Sequence, residues 1–265
     1  MKIAFCFSGQ TRDINSTKRS FYKHIVHPLR KHDLHAFVHT PCGSALPDLG
    51  INPTIIVQED ESSISPPPLQ TTHLVASRPW HAGDSYRAFY LQVRSIAESI
   101  KLQETYALTN NIKFDWVFRL RFDSLYYGSN IEDLASLSKD AIYVPRHDNW
   151  GGLNDRFAFG PPELMRVYAT RHDYFNEFQA LGHTMAPEYF LKWVLEKESV
   201  KVNRTNVTHD LLRYGELWHA HYSINRGDTP PELSKRQKLS RRLQARLIPQ
   251  KWRDYMHIRR AFLPF

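Results

Sequence analysis

Residues 114–124 read FDWVFRLRFDS, and the two arginines and two aspartates in this otherwise apolar run are the side chains best placed to do chemistry. Side chains alternate along an extended strand. Trp116, Phe118, Leu120 and Phe122 therefore share one face, and Asp115, Val117, Arg119, Arg121 and Asp123 share the other. The first face is apolar and requires burial. Charges on the second are tolerated inside a protein only when they pair with one another or with a ligand. Two readings stand side by side: an internal ion-pair network, or the floor of a binding site. Three further segments, SGQTRD (8–13), DSLYYGS (123–129) and GGLND (151–155), are candidate ligand loops, because open parallel α/β sheets bind beyond the carboxyl ends of their strands. A Ser-Gly loop after a first strand occurs in many nucleotide-binding folds and is more often a plain turn.

The elements that must position these residues are legible as an alternation. IAFCFSG reads as a first strand, followed by a polar loop and an amphipathic helix with Phe21, Ile25, Val26 and Leu29 on one side. DLHAFVHT and PTIIVQED read as the second and third strands. From the neighbourhood of Pro41 to Gly83 the chain is rich in proline and serine and is expected to loop over the surface. A helix capped by Asp84 or Ser85 follows, with Tyr86, Phe89, Tyr90, Val93, Ile96, Ala97, Ile100 and Ala107 as a core stripe at three- and four-residue steps. It leads into the charged strand. AIYVPR and VKVNRT read as later strands, NWGGLNDRFAFG as a glycine loop entering another, and PPELMRVYATRHDYF and APEYFLKWVLEKES as helices with proline just inside their starts. Strands alternating with helices predict an α/β sandwich with a central, mainly parallel sheet.

The totals set bounds. A chain of 265 residues and 31.1 kDa supports one substantial core with elaborations. Hydrophobic residues at 42% and charged residues at 23% exclude a disordered chain, and no apolar run approaches the length of a membrane span. The start is read as carrying no cleavable signal. Two cysteines, Cys6 and Cys42, make neither a disulfide framework nor a metal-ligand spacing, so the expectation is a reducing, cytoplasmic setting. The Asn-x-Ser/Thr triplets at Asn15, Asn203 and Asn206 are then chance rather than glycan sites. The net charge of +8 is concentrated: residues 229–265 carry ten Lys or Arg against two acids, and the body before them is neutral.

In combination, FSGQTRD, a long helix, FDWVFRLRFD, NDRFAFG and PEYFL, in that order, resemble a group of bacterial and viral glycosyltransferases of the GT-A fold. The resemblance implies a Rossmann-like single domain, taken as residues 1–228, that transfers a sugar from a nucleotide-diphosphate sugar to a saccharide or lipid-linked saccharide acceptor in surface-glycan synthesis. In such enzymes an Asp-x-Asp motif closes a central strand and holds Mn2+ or Mg2+ on the diphosphate, where a cation stabilises the charge of the leaving group. Here the triplet is Arg121-Phe122-Asp123, so the first aspartate is replaced. Asp123 would hold the metal with a late histidine, His219 or His221; alternatively Arg119 or Arg121 would compensate the diphosphate directly, its guanidinium fork matching phosphate oxygens. Ser8, Gly9, Gln10, Thr11 and Arg12 would receive the nucleotide, the first two by close approach of backbone amides and Arg12 by reaching phosphate. Glu188, or alternatively Asp155, would take the acceptor proton. Trp150 and Asn154 would contact acceptor sugars. A bland role exists for each: a dipole-favoured helix acid for Glu188, a loop carboxylate paired with Arg156 or solvent for Asp155, a packed tryptophan, a loop asparagine.

Residues 229–265 set Leu239, Leu243 and Leu247 against Lys238, Arg241, Arg242 and Arg246. This basic amphipathic pattern is expected to form a helix that touches a membrane surface or packs on the body. Nucleic acid is not the expected partner, since the body is neutral. The rival to an enzyme is a non-catalytic nucleotide- or sugar-binding module with a decayed Asp-x-Asp motif.

Overall fold

The computed structural model describes residues 1–45, 49–68, 84–129, 131, 133–182, 185–213 and 216–217. Within them the chain is mixed α/β, with a large, mostly parallel sheet flanked by helices. The strands are β1 (Lys2–Ser8), β2 (Asp33–Pro41), β3 (Ile55–Glu59), β4 (Trp116–Leu120), β5 (Ser124–Gly128), β6 (Ala141–Pro145), β7 (Ala158–Gly160), β8 (Lys201–Thr205), β9 (Thr208–Arg213) and β10 (Glu216–Leu217). The α-helices are α1 (Ile14–Phe21), α2 (His27–Leu29), α3 (Asp84–Thr109), α4 (Pro162–Thr170), α5 (Phe175–Ala180) and α6 (Pro187–Lys197); a π-helical turn, Tyr22–Val26, joins the first two.

Seven strands form the main sheet in the order β3-β2-β1-β4-β7-β6-β8. All neighbours are parallel except at β7, which runs antiparallel to both β4 and β6. The reversal matters for the site. A strand running against the others starts where they end, so the residues just before β7 lie at the carboxyl ends of the parallel strands. A second sheet, β10-β9-β5, begins immediately after Asp123, and the Leu212 amide donates to the Asp123 carbonyl at 2.7 Å.

Alternation builds two cores from one sheet. In β1, Ile3, Phe5 and Phe7 face α1 together with Trp116, Phe118, Leu120 and Phe122 of the charged strand, as the parity of the sequence predicts. Ala4, Cys6 and Val117 face the other way, toward Ile96 and Ile100 of α3, Met165 of α4 and Leu191 of α6. Small residues on that face let α3 lie close. On the first face, Phe118, Phe159 and Tyr143 stack across β4, β7 and β6 with ring centroids 4.9 Å apart at each step. Offset stacks of this kind add to the burial of the rings themselves.

Within the described residues the predicted helices and strands are present, and β9 and β10 are strands that the sequence did not announce. DSLYYGS is not a loop: Ser124–Gly128 is β5 of the second sheet. Within the stretch from Pro41 to Gly83, expected to loop over the surface, the described residues hold the predicted third strand as β3 and, in addition, a short 3-10 turn at Glu61–Ser63. The expectations for His219, His221 and residues 229–265 lie outside the described residues. No described helix is long and apolar enough to cross a membrane.

Candidate functional site

The order of the main sheet sets where a ligand would meet it. From β1 the chain steps outward to β2 and β3 on one side, while β4 joins β1 on the other. In open α/β sheets of this order a ligand crevice is expected beyond the carboxyl ends of β1 and β4, where the strand order changes direction. Residues 9–13 leave β1 here and residues 121–123 leave β4.

Arg121 and Asp123 meet as a fork: Arg121 Nε donates to Asp123 Oδ1 and Nη2 to Oδ2, each at 2.8 Å. Arg12 approaches the same carboxylate, with Nε 3.7 Å from Oδ2, and its side chain is 29% exposed while that of Asp123 is 4% exposed. Arg12 Nη1 also donates to Gln10 Oε1 at 3.0 Å. Burial would lower the Arg121 pKa, but the charge and hydrogen bonds of Asp123 outweigh it and raise it, fixing the guanidinium as a cation. Arg12, Arg121 and Asp123 thus converge at one place, two cations on one anion, with Arg12 forming the solvent side.

The remaining loop residues divide. Gly9, at φ +97°, turns its amide into the protein, where it donates to the His39 carbonyl and to Ser95 Oγ, both at 3.1 Å. That amide is engaged by the protein rather than held toward the crevice, as the sequence reading expected. Ser8 and Thr11 are buried and Gln10 is exposed. Arg119 is fully buried, donating to the Arg156 carbonyl at 3.0 Å; burial lowers its pKa to about 10. It lies one layer beneath the crevice rather than on its surface.

Gln92 of α3, which sequence reasoning missed, links the two halves of the site. Its Nε2 donates to Asp155 Oδ2 at 2.6 Å, and its Oε1 faces Arg121 Nη1 at 3.5 Å. Asp155 is 2% exposed, also lies 3.9 Å from Arg171 Nη2, and accepts at its carbonyl from the Tyr168 hydroxyl. Arg156 bonds Asp148 at 2.7 Å and stands 3.7 Å from Glu188 Oε1. Arg171 and Asp148 were also missed, and Arg156 was named only as a partner for Asp155. Gln92 had a signal: a polar residue one position before Val93 within the α3 core stripe.

Glu188 opens α6 with its carboxyl buried. Burial, then the neighbouring Asp155 carboxylate, push its pKa up to about 8 against the pull of Arg156. Helix and loop are locked together here: Leu153 N donates to the Glu188 carbonyl at 3.0 Å, and a Cβ on Gly152 would stand 2.0 Å from that oxygen. The same loop holds Asp148, Trp150 and Gly151 at φ values of +55°, +47° and +83°. Side chains rarely adopt such angles, and backbone strain of this kind gathers at functional sites. Trp150 is half-buried, and the ring of Tyr189, 44% exposed, lies against Gly151. Asn154 is 0% exposed, and both ends of its amide hold the loop, donating to the His147 carbonyl and accepting from the Arg156 amide, which places it beneath the loop surface rather than on it.

For a divalent metal, the described residues around Asp123 add arginines rather than further ligands, and both Asp123 oxygens are already engaged. Among the described residues no three His, Cys, Asp or Glu gather as a metal set. The described residues do not by themselves fit a metal.

The arrangement can therefore hold an anion against Arg12 and Arg121 and offer a carboxylate of raised pKa beside a strained aromatic loop. Residues 1–214 match a family described as a domain of unknown function, DUF7796. No curated protein matches the chain.

Proposed function

For a chain that belongs to the DUF7796 family, we propose a glycosyltransferase of GT-A type that takes a sugar from a nucleotide-diphosphate donor to a saccharide or lipid-linked acceptor. The observation that carries the reading is the convergence of Arg12, Arg121 and Asp123 at the carboxyl ends of β1 and β4, on the solvent-facing side of a topological switch point. Two guanidinium groups sharing one carboxylate leave net positive charge, and a diphosphate supplies its complement. As the sugar leaves, the electron pair of the broken C–O bond goes to the diphosphate, where Arg12 and Arg121 stabilise it. The acceptor hydroxyl oxygen bonds to the anomeric carbon and gives its proton to Glu188. A pKa of about 8 suits Glu188 to that exchange near neutrality, whereas Asp155 is taken up by Gln92 and Arg171.

A thermal-shift titration with uridine and guanosine diphosphate, with and without manganese, tests the reading, since binding to the folded state raises Tm. One nucleotide is expected to raise Tm, and Arg12→Ala to remove the rise while leaving the unliganded Tm unchanged. Absence of a rise with either nucleotide, in both metal conditions, would overturn the proposal. The departure at Arg121 from the Asp-x-Asp motif favours a second reading, a binding module without turnover. Slow release of nucleoside diphosphate from a nucleotide sugar, lost in Glu188→Gln, separates the enzyme from that module.

A further inference from the structure

Between Asp13 and Asp33 the chain has no acidic residue, yet it holds Lys18, Arg19, Lys23, Arg30 and Lys31, with His24, His27 and His32 among them. Folding sorts this segment by face. Ile14, Phe21, Ile25, Val26 and Leu29 enter the core, while Arg19, Tyr22, Lys23, His27, Arg30 and Lys31 are exposed. At about 100° per residue the exposed set occupies one half of the helical surface.

The other helices of the body handle their cations differently. Arg94 is paired with Glu59 and Glu98, Arg166 with Glu104, Lys192 with Glu196 and Lys197 with Glu177. Among the described residues, Arg19, Lys23, Arg30 and Lys31 have no carboxylate within the 4.0 Å of an ion pair. The Arg30 guanidinium meets the neighbouring His27 ring. The body is neutral in total, but Arg19, Lys23, Arg30 and Lys31 cluster on this flank with no carboxylate in ion-pair range among the described residues, which costs stability through self-repulsion and is relieved by an anionic partner.

We propose that this face of residues 14–32 docks on an anionic membrane surface. Clustered lysines and arginines are drawn to acidic headgroups, and long basic side chains extend to reach them. Tyr22, 44% exposed in the midst of the cations, has the apolar body and polar tip that suit the headgroup layer. A single exposed aromatic gives no platform for successive bases, which argues against a nucleic acid. Docking needs no particular chemistry at the crevice and so does not rest on the transferase reading. It does set the crevice's position, because α1 starts directly from the loop that carries Arg12.

The test is flotation of the full-length chain with phosphatidylcholine vesicles, alone and with about a third phosphatidylserine, over a salt series. The chain is expected to bind only the anionic vesicles and to be released by salt. Combining Arg19→Gln, Lys23→Gln, Arg30→Gln and Lys31→Gln is expected to weaken partition at least ~tenfold, with Tm held or raised because all four side chains are exposed and their mutual repulsion is removed. Arg19→Lys with Arg30→Lys is expected to keep it. Equal partition of the quadruple variant and the parent, no binding of the parent to anionic vesicles at low salt, or binding of an oligonucleotide in preference to vesicles would each overturn the proposal.

Discussion

Glu188 binds its proton more tightly in the folded chain than a carboxyl does in water, at a pKa of about 8 against an ordinary 4.5. Between those values the folded state holds more protons than the unfolded one, so this residue's contribution to stability falls as pH rises from 4.5 to 8 and is level above. Glu188→Gln should therefore raise Tm relative to the parent at pH 8, with the gain vanishing below pH 4.5; thermal melts across pH measure it. The same variant should lose at least ~100-fold in transfer rate, the size of a general-base contribution. In the parent, rate should climb through pH 8 as the carboxylate forms. Asp123 works in the opposite sense. Asp123→Asn leaves the buried Arg121 cation without its fork, and breaking such a pair costs about 3–5 kcal/mol, readable by urea denaturation. At this scale the sequence was informative where parity governs. The assignment of Arg119, Arg121 and Asp123 to one face followed from counting by twos, and the distance from Arg12 to Asp123 fits the grouping proposed from the motifs. It could not show that Asn154 has its amide spent, since that depends on where two backbone groups of its own loop point.

Among the elements, the joint between loop 148–153 and α6 is the least forgiving. Gly152→Ala places a methyl group into the Glu188 carbonyl, and overpacking against backbone costs ~2–3 kcal/mol or more. Its expected signature is a lowered Tm together with loss of the raised Glu188 pKa, read by carboxyl NMR titration. Removing a ring from the stack across β4, β7 and β6 is a purely structural counterpart: Phe118→Ala should cost ~3–5 kcal/mol without altering nucleotide affinity per folded molecule. Helices with clear apolar periodicity were legible to within a turn. β5 was not. It follows β4 after only residues 121–123, is buried on both faces, and carries no turn dipeptide, so nothing local marks the change of sheet. β7 escaped differently: its three residues announce a strand, but not that it runs backward.

Across the whole molecule, the sheet order turns separate local signals into one place. Four parallel strands around β1 and one reversed strand bring the loops after β1 and β4 and the loop before β7 to a common end. Native-state hydrogen exchange should reflect this frame, with the amides of β1 and β4 slowest because they sit between both cores. The net charge was misleading as a total, because neutrality of the body concealed a flank with cations only.

The hydrogen bond from Leu212 to the carbonyl of Asp123 fastens the far end of the described chain to the residue on which two guanidiniums meet. Whatever tugs on that backbone is felt by β9, and so by the chain that leaves from it. Occupancy of the crevice should accordingly be audible there: the backbone amides of β9 should exchange with solvent at a different pace once a diphosphate is bound.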